Sequence, residues 1–414
     1  MRTLHRSLAA AIALVSVSVA ACSSSSQKPH GSQTPSNSAG QLSLGLVGSF
    51  SGVAASTLGG VPKVVDAWAQ ATNAAGGING RTVRIVVKDI GASADGGLTA
   101  ARSVIGQDHV AAIIDFDSND ATWIPYAAQQ SVPVIPGTAS LGSLLSADVY
   151  PVVASPLALS YALAAESKNY GTKLAVGYAA EIASAAQIVT LLKTFGRGLG
   201  VNVVVAAKLS SSEPDYTAFC QQVKQSGATS YILSFATATT QKISDQCYQQ
   251  GVRIPQLLQG PLVPPAWTSD PAFANDLAVD GIAPFFDSSV PGVAQYRSAL
   301  QKYAPSIPGS SFDNSAGAFA WAAAQMFAAG AKAASGATAT DLTRGLATIK
   351  GATLDGLIAP VTYTAGKTTA LNCWFTWKVG SGKLQQSAQG TGSSCAPAAV
   401  LGPVEQAFLK SIGK

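Results

Sequence analysis

The stretch Asp66–Asp89, DAWAQATNAAGGINGRTVRIVVKD, decides the fold. Its first half spaces apolar residues as one face of a helix, and its last eight residues are rich in β-branched side chains, as a strand is. Between them, Gly76, Gly77 and Gly80 end the helix and turn the chain tightly, at positive-φ positions that other residues avoid. The glycines serve a turn and hold no phosphate, because no G-x-x-x-x-G-K-[ST] follows the preceding strand.

Outward from this block the rhythm repeats. LSLGLVGSF reads as a strand before it; a helix at GGLTAARSVIGQD, the strands VAAIIDF and PVIPG, and a helix at ATWIPYAAQQS follow it. A second series runs through KLAVGYA, a helix from Ser184 to Leu199, VNVVVAAKL, YTAFCQQVKQSG, TSYILSF, TTQKISDQCYQQG and PQLLQG. Strand and helix in turn predict parallel sheets covered on both faces, in two similar α/β halves. After Gly281 come an Ala-rich helix from Ala316 to Ala334, a short helix near ATDLTRGLATIKG, and a β-rich end with a hairpin around a Gly-Ser-Gly turn. This end fits two domains only if the chain crosses between them more than once.

With 414 residues, 47% hydrophobic and 11% charged, the chain can build two real cores. The run AFAWAAAQMFAAGAKAA from Ala318 is broken by Gln325 and Lys332 and reads as a core helix. The N-terminus reads as an export signal over residues 1–21, with Arg2 and Arg6 before the apolar run SLAAAIALVSVSVAA. VAACSSSSQ then resembles the lipobox of bacterial lipoproteins, which implies cleavage before Cys22 and a diacylglycerol on its thiol. Residues 22–40, Ser-, Pro- and Gly-rich, make a flexible tether. The 26 basic and 21 acidic residues are near balance, and no basic run suggests nucleic acid. Cys220, Cys247, Cys373 and Cys395 are even in number, and in an exported chain they predict two disulfides. Three pairings are open; the neighbour pairing, Cys220 with Cys247 and Cys373 with Cys395, keeps each bridge inside one supersecondary unit.

SLGLVGSFSGVAA followed by the Asn73–Arg81 block NAAGGINGR resembles type I periplasmic binding proteins of the leucine/isoleucine/valine-binding kind. AAIIDFDSNDAT, VPVIPGTASL, DYTAFCQQVKQSGATSYIL and DGLIAPVTYTAGK agree in order, so the similarity covers the chain from about Leu42 to the end. The resemblance implies an α/β fold of two Rossmann-like parallel-sheet lobes joined by three crossover strands. One lobe is expected over residues 41–153 plus 284–355, and the other over residues 154–283 plus 356–414. It further implies a small solute bound in the cleft and passed to the permease subunits of an ABC transporter, by a monomer held on the extracytoplasmic face of the cell membrane through its lipid. A ligand sensor that signals through a partner protein is the alternative.

The loops at the carboxyl ends of the strands form the expected site. In the first lobe these give Phe50, Ser51 and Thr57, then Asp117, Ser118 and Asn119, then Gly137, Thr138, Ala139 and Ser140. In the second they give Tyr178, Glu181, Thr237 and Leu262, with Phe286 beyond. No catalytic residue, metal or cofactor is expected. Gly48–Gly52 reads G-S-F-S-G, with Phe50 where a nucleophile elbow needs serine, and His109 is the one histidine outside the signal and tether. D-F-D-S-N-D lacks the twelve-residue loop of a calcium site and is expected to be solvated or ligand-facing. Trp123 and Trp321 are expected in packing.

The family's amino-acid binders resemble the chain less at the ligand. Asn119 stands near their serine, three acids (Asp115, Asp117 and Asp120) lie close by, and the second-lobe acid that holds an α-ammonium group falls at Pro261 and Leu262. An α-amino acid would lose both anchors, at a cost of several kcal/mol on burial. A neutral or hydroxyl-rich solute, or a cation meeting Asp117, is the expected ligand.

Overall fold

The computed structural model describes residues 40–91, 93, 95–182 and 185–411. The expected export signal, Cys22 and almost all of the expected tether lie outside the described residues.

The first sheet is built from β1 (Gln41–Gly48), β2 (Thr82–Asp89), β3 (Ala112–Phe116) and β4 (Val134–Pro136), all parallel, in the order β2-β1-β3-β4. Between them lie α1 (Ala55–Leu58), α2 (Val61–Ala74), α3 (Gly96–Gly106) and α4 (Ile124–Gln129). Alternate residues of β1 serve opposite faces: Leu44 and Leu46 pack with Trp68 of α2, while Val47 joins Val104 of α3 and Ile124 of α4. This two-sided burial explains why the strands read as apolar runs.

The glycine block folds as its sequence requires. Asn73, at the end of α2, uses its amide twice on Val83 of β2, donating to the carbonyl at 2.9 Å and accepting from the N–H at 2.7 Å. Ile78 and Arg81 exchange backbone bonds around Asn79 and Gly80, whose φ values of 50° and 76° make the Asn-Gly turn that hairpins prefer. At Gly77 a Cβ would lie 2.0 Å from the Arg81 carbonyl oxygen.

The second sheet follows α5 (Pro156–Ser167). It contains β5 (Lys173–Ala179), β6 (Asn202–Leu209), β7 (Ser230–Ser234), β8 (Gln256–Gln259) and β9 (Leu277–Asp280), with α6 (Ala185–Leu199), α7 (Thr217–Gln225) and α8 (Thr237–Gln249) between them. The chain then returns to the first sheet's side with α9 (Pro291–Tyr303), α10 (Ser315–Ala333) and α11 (Ala339–Ala347), where α9 and α10 pack on α2. It crosses back into β10 (Cys373–Val379), β11 (Leu384–Gln386) and β12 (Ser394–Cys395), and ends in α12 (Ala398–Ser411), which packs on α5. The order is β11-β10-β9-β8-β7-β5-β6, with β12 beside β10. β10 runs antiparallel to β9 and to β11, and Gly380 to Gly382 form the predicted hairpin turn.

The Ala-rich α10 is a core helix, and the one interruption that faces inward is used: Gln325 accepts from the Trp68 indole at 3.2 Å. Both disulfides join sequence neighbours. Cys220–Cys247 ties α7 to α8, and Cys373–Cys395 ties directly opposed residues of β10 and β12. Among the described residues no helix is long and apolar enough to cross a membrane.

Candidate functional site

The carboxyl ends of β1, β3 and β4 carry the first group of predicted residues. Phe116 closes β3 and packs against Gly48 at the end of β1 and Gly137 after β4. A Cβ at Gly137 would come within 2.2 Å of the Phe116 ring, and one at Gly48 within 2.5 Å of the Phe116 Cβ and 2.8 Å of the Phe50 ring, so both glycines make room for these aromatics. Phe50 packs on Phe116 at 6.3 Å between centroids. These aromatics form a buried floor under the loops, with Ser51 and Ser118 exposed and Asn119, Thr138 and Ala139 half-buried above it.

The serine loop is pinned by a carboxylate. Asp89 at the end of β2 accepts from the backbone N–H of Phe50 at 3.0 Å and of Gly91 at 2.9 Å. Partial burial alone would raise the Asp89 pKa, but bonds from Gly91, the Ser51 hydroxyl and the Phe50 backbone outweigh it and hold the group below its usual range. His109 is exposed on the turn between α3 and β3, with φ 49°. No Ser-His pairing forms in this loop.

D-F-D-S-N-D, expected to be solvated or ligand-facing, exposes Ser118 and half-buries Asn119 but turns its three acids inward. Asp115, Asp117 and Asp120 are 0%, 4% and 4% exposed, so their charges face the interior. Asp115 accepts from the backbone of Asp117, and Asp117 accepts from the backbone of Asn119 and, at 3.0 Å, from the indole of Trp123. Asp120 takes the hydroxyl of Ser140, which itself accepts from Gly142 N–H. Burial and then the nearby Asp120 charge push Asp115 well above the carboxylate range, and burial pushes Asp120 up to about 6. Like charges this close in a dry site oppose each other's ionisation, so the pair holds a proton more readily than an exposed carboxylate does. Asp117, 4% exposed, turns its two oxygens to the Asn119 and Trp123 donors. Local sequence gave no sign of this, because Trp123 and Ser140 supply the partners from other elements.

In the second lobe, Tyr178 is half-buried at the end of β5. Glu181 beyond it is exposed and bound by the Ser210 hydroxyl and by Ser211, through its backbone at 3.0 Å and its hydroxyl at 3.2 Å. Slight burial opposes these bonds, but together they hold its pKa low. Leu262 is buried in the turn after β8 and joins the apolar cluster that includes Phe50 and Phe116. Phe286 is half-buried, edge-on to Phe285 and Trp377 at 5.5 and 5.6 Å. Trp123 and Trp321 are packing residues, at 0% and 4% exposed.

One acid escaped the sequence reading. Asp280 ends β9 and is 1% exposed, and its carboxylate lies so close over Gly260 that a Cβ there would sit 2.0 Å from Oδ2. Trp377 donates to Oδ2 at 3.1 Å, and burial raises the pKa to about 7. Thr57 and Thr237, both buried, bring the lobes together: their hydroxyls lie 2.9 Å apart.

The fold and this site define a two-lobed α/β binding protein, with serine, threonine and aromatic loops at the carboxyl ends of two mainly parallel sheets. The chain belongs to the periplasmic binding protein family, whose model matches residues 41–383. Solved structures agree in fold. A branched-chain amino acid ABC transporter protein from Thermus thermophilus with bound valine shares 15% identity, covering 88% of this chain and 98% of its own, with a TM-score of 0.77. A leucine-binding protein from Thermotoga maritima shares 14%, covering 86% and 99%, at 0.71. A solute-binding protein of an ABC transporter from Rhodopseudomonas palustris, in complex with p-hydroxybenzoic acid, shares 18%, covering 86% and 97%, at 0.69. No curated protein matches the sequence.

Proposed function

We propose that the chain is the extracytoplasmic solute-capturing component of an ABC-type importer, anchored to the membrane by a lipid on Cys22, and that it binds a small molecule between its lobes without transforming it. Family membership supports the role, and the facing hydroxyl-bearing loops support the place. Ser51, Ser118, Asn119 and Thr138 from the first lobe, with Tyr178 from the second, are the proposed polar contacts. The solute carries no α-ammonium group. The observation that carries this is the apolar Leu262 at the family's acidic position, while Glu181 is engaged by two serines, Asp117 by Trp123, and Asp280 is sealed under Gly260. An α-ammonium group buried at the Leu262 position would meet an apolar side chain in place of a counter-charge, at a cost of several kcal/mol.

A neutral or hydroxyl-rich molecule with an apolar body fits best, and the aromatic floor makes aromatic acids worth testing beside it. A thermal-shift panel of amino acids, polyols, sugars, nucleosides, polyamines and hydroxybenzoates tests the reading. At about 100 times its Kd a true solute adds roughly 2.7 kcal/mol, which is a shift of several degrees. Stabilisation by leucine, isoleucine or valine would overturn the solute class, and silence across the panel would favour a sensor that works through a partner protein. Cys22→Ala is expected to move the protein from the membrane fraction to the soluble one.

A further inference from the structure

We propose that Ser56 and Thr57 are a closing latch that works by capping a helix of the opposite lobe. Helix α8 starts at Thr237 after Ala236, whose methyl group cannot accept a hydrogen bond, so its own lobe gives its first turn no side-chain cap. The cap comes from α1. The Thr237 N–H donates to Thr57 Oγ1 at 3.0 Å, the Ala238 N–H donates to Ser56 Oγ at 3.2 Å, and the two threonine hydroxyls bond to each other at 2.9 Å. Thr57 and Thr237 are 180 positions apart in the chain and only 7% and 5% exposed.

The latch is braced from behind. The Thr57 carbonyl accepts from Asn314 Nδ2 at 3.1 Å, and Asn314 Oδ1 in turn caps α10 by accepting from Ala316 N–H at 3.0 Å. Helix α1 is therefore held between the N-termini of two helices, one on each side of the cleft. The first N–H groups of a helix need acceptors, and α8 finds these two only when the lobes meet. Each bond joins protein to protein, so it favours the closed arrangement whatever the solute is. A pre-closed population lowers the conformational cost that a solute must meet, and the latch thereby tunes affinity from outside the solute contacts.

The inference rests on the two-lobed binding reading, but its test needs no solute. Small-angle scattering of the purified protein is compared with that of Ser56→Ala/Thr57→Val, which loses all three bonds, and of Thr57→Ser, which keeps a hydroxyl. The double variant is expected to shift the closed-to-open ratio at least about tenfold toward open, with a larger radius of gyration, while Thr57→Ser stays with the parent. Identical scattering from all three would overturn the latch. Should the double variant fail to fold, amide exchange in the parent decides: slow exchange at Thr237 and Ala238 supports the cap, and exchange at the rate of an open helix end refutes it. Silence in the solute panel would leave either result standing, so the two proposals fail separately.

Discussion

The indole N–H of Trp377 donates to Oδ2 of Asp280 at 3.1 Å, and Asp280 is only 1% exposed. Burial therefore outweighs the bond and raises the Asp280 pKa to about 7. The folded state holds a proton that the unfolded state has released above about pH 4. Its contribution to stability is full below that pH and is lost as pH rises through 7. The protein should become more stable as pH falls from 8.5 to 5.5, with a slope of up to about 1.4 kcal/mol per pH unit from this one proton. Asp115, Asp120 and Asp276, all raised by burial, push the same way. Urea melts across that range should show the trend, and Asp280→Asn should flatten it while gaining stability at pH 8.5. An unchanged slope in the variant would remove Asp280 from the account.

Phe116 and its two glycines make a second prediction. Gly137→Ala places a Cβ 2.2 Å from the ring of a side chain that is 1% exposed, so neither group can simply turn into solvent. Overpacking of this kind costs about 1–3 kcal/mol. Phe116→Leu should recover part of the loss in the Gly137→Ala background, although alone it destabilises. A double-mutant cycle on denaturation midpoints reads the coupling. Strictly additive effects would mean that the ring and Gly137 do not meet.

The fold was legible where neighbours in sequence are neighbours in space. The glycine block carries its own geometry, and central strands such as β1, β3 and β7 show as apolar runs because both of their faces are buried. The hairpin at Gly380–Gly382 is local for the same reason. The loop acids were not legible. Asp117 looks solvated until Trp123 is folded against it, and Asp280 meets Gly260 only because β8 and β9 pair side by side. The contact of Thr57 with Thr237 depends on two lobes coming together, and no local pattern encodes that. Strand ends could be named as candidate positions, whereas which of their polar groups are already spent on protein partners could not.

Asn73 fixes the junction beside the glycine block. Its amide makes both bonds to Val83 and fastens the end of α2 to the start of β2. Asn73→Ala removes both and leaves two backbone groups to find water, which should cost about 2 kcal/mol. Asn73→Asp keeps an acceptor for the Val83 N–H but sets a carboxylate against the Val83 carbonyl, so it should not rescue. Equal midpoints for parent and Asn73→Ala would show that the glycine turn holds this junction without the amide.

The disulfides give the last prediction. Cys220 and Cys247 are 27 positions apart and Cys373 and Cys395 are 22 apart, so each closes a loop of middling length. In the loop-entropy model either bridge contributes about 3.5 kcal/mol. Cys220 and Cys247 are 0% and 1% exposed between α7 and α8, so Cys220→Ala/Cys247→Ala loses a cross-link within the core of the second lobe. Cys373 and Cys395 lie at the margin of the sheet, where β12 has only two residues to pair with β10. Mild reductant should therefore open Cys373–Cys395 first, freeing β12 while the rest of the sheet stays paired. Mass mapping of non-reduced peptides during a reductant titration reads both points. Earlier release of Cys220–Cys247 would contradict the order, and a peptide linking Cys220 to Cys373 or Cys395 would contradict the pairing itself.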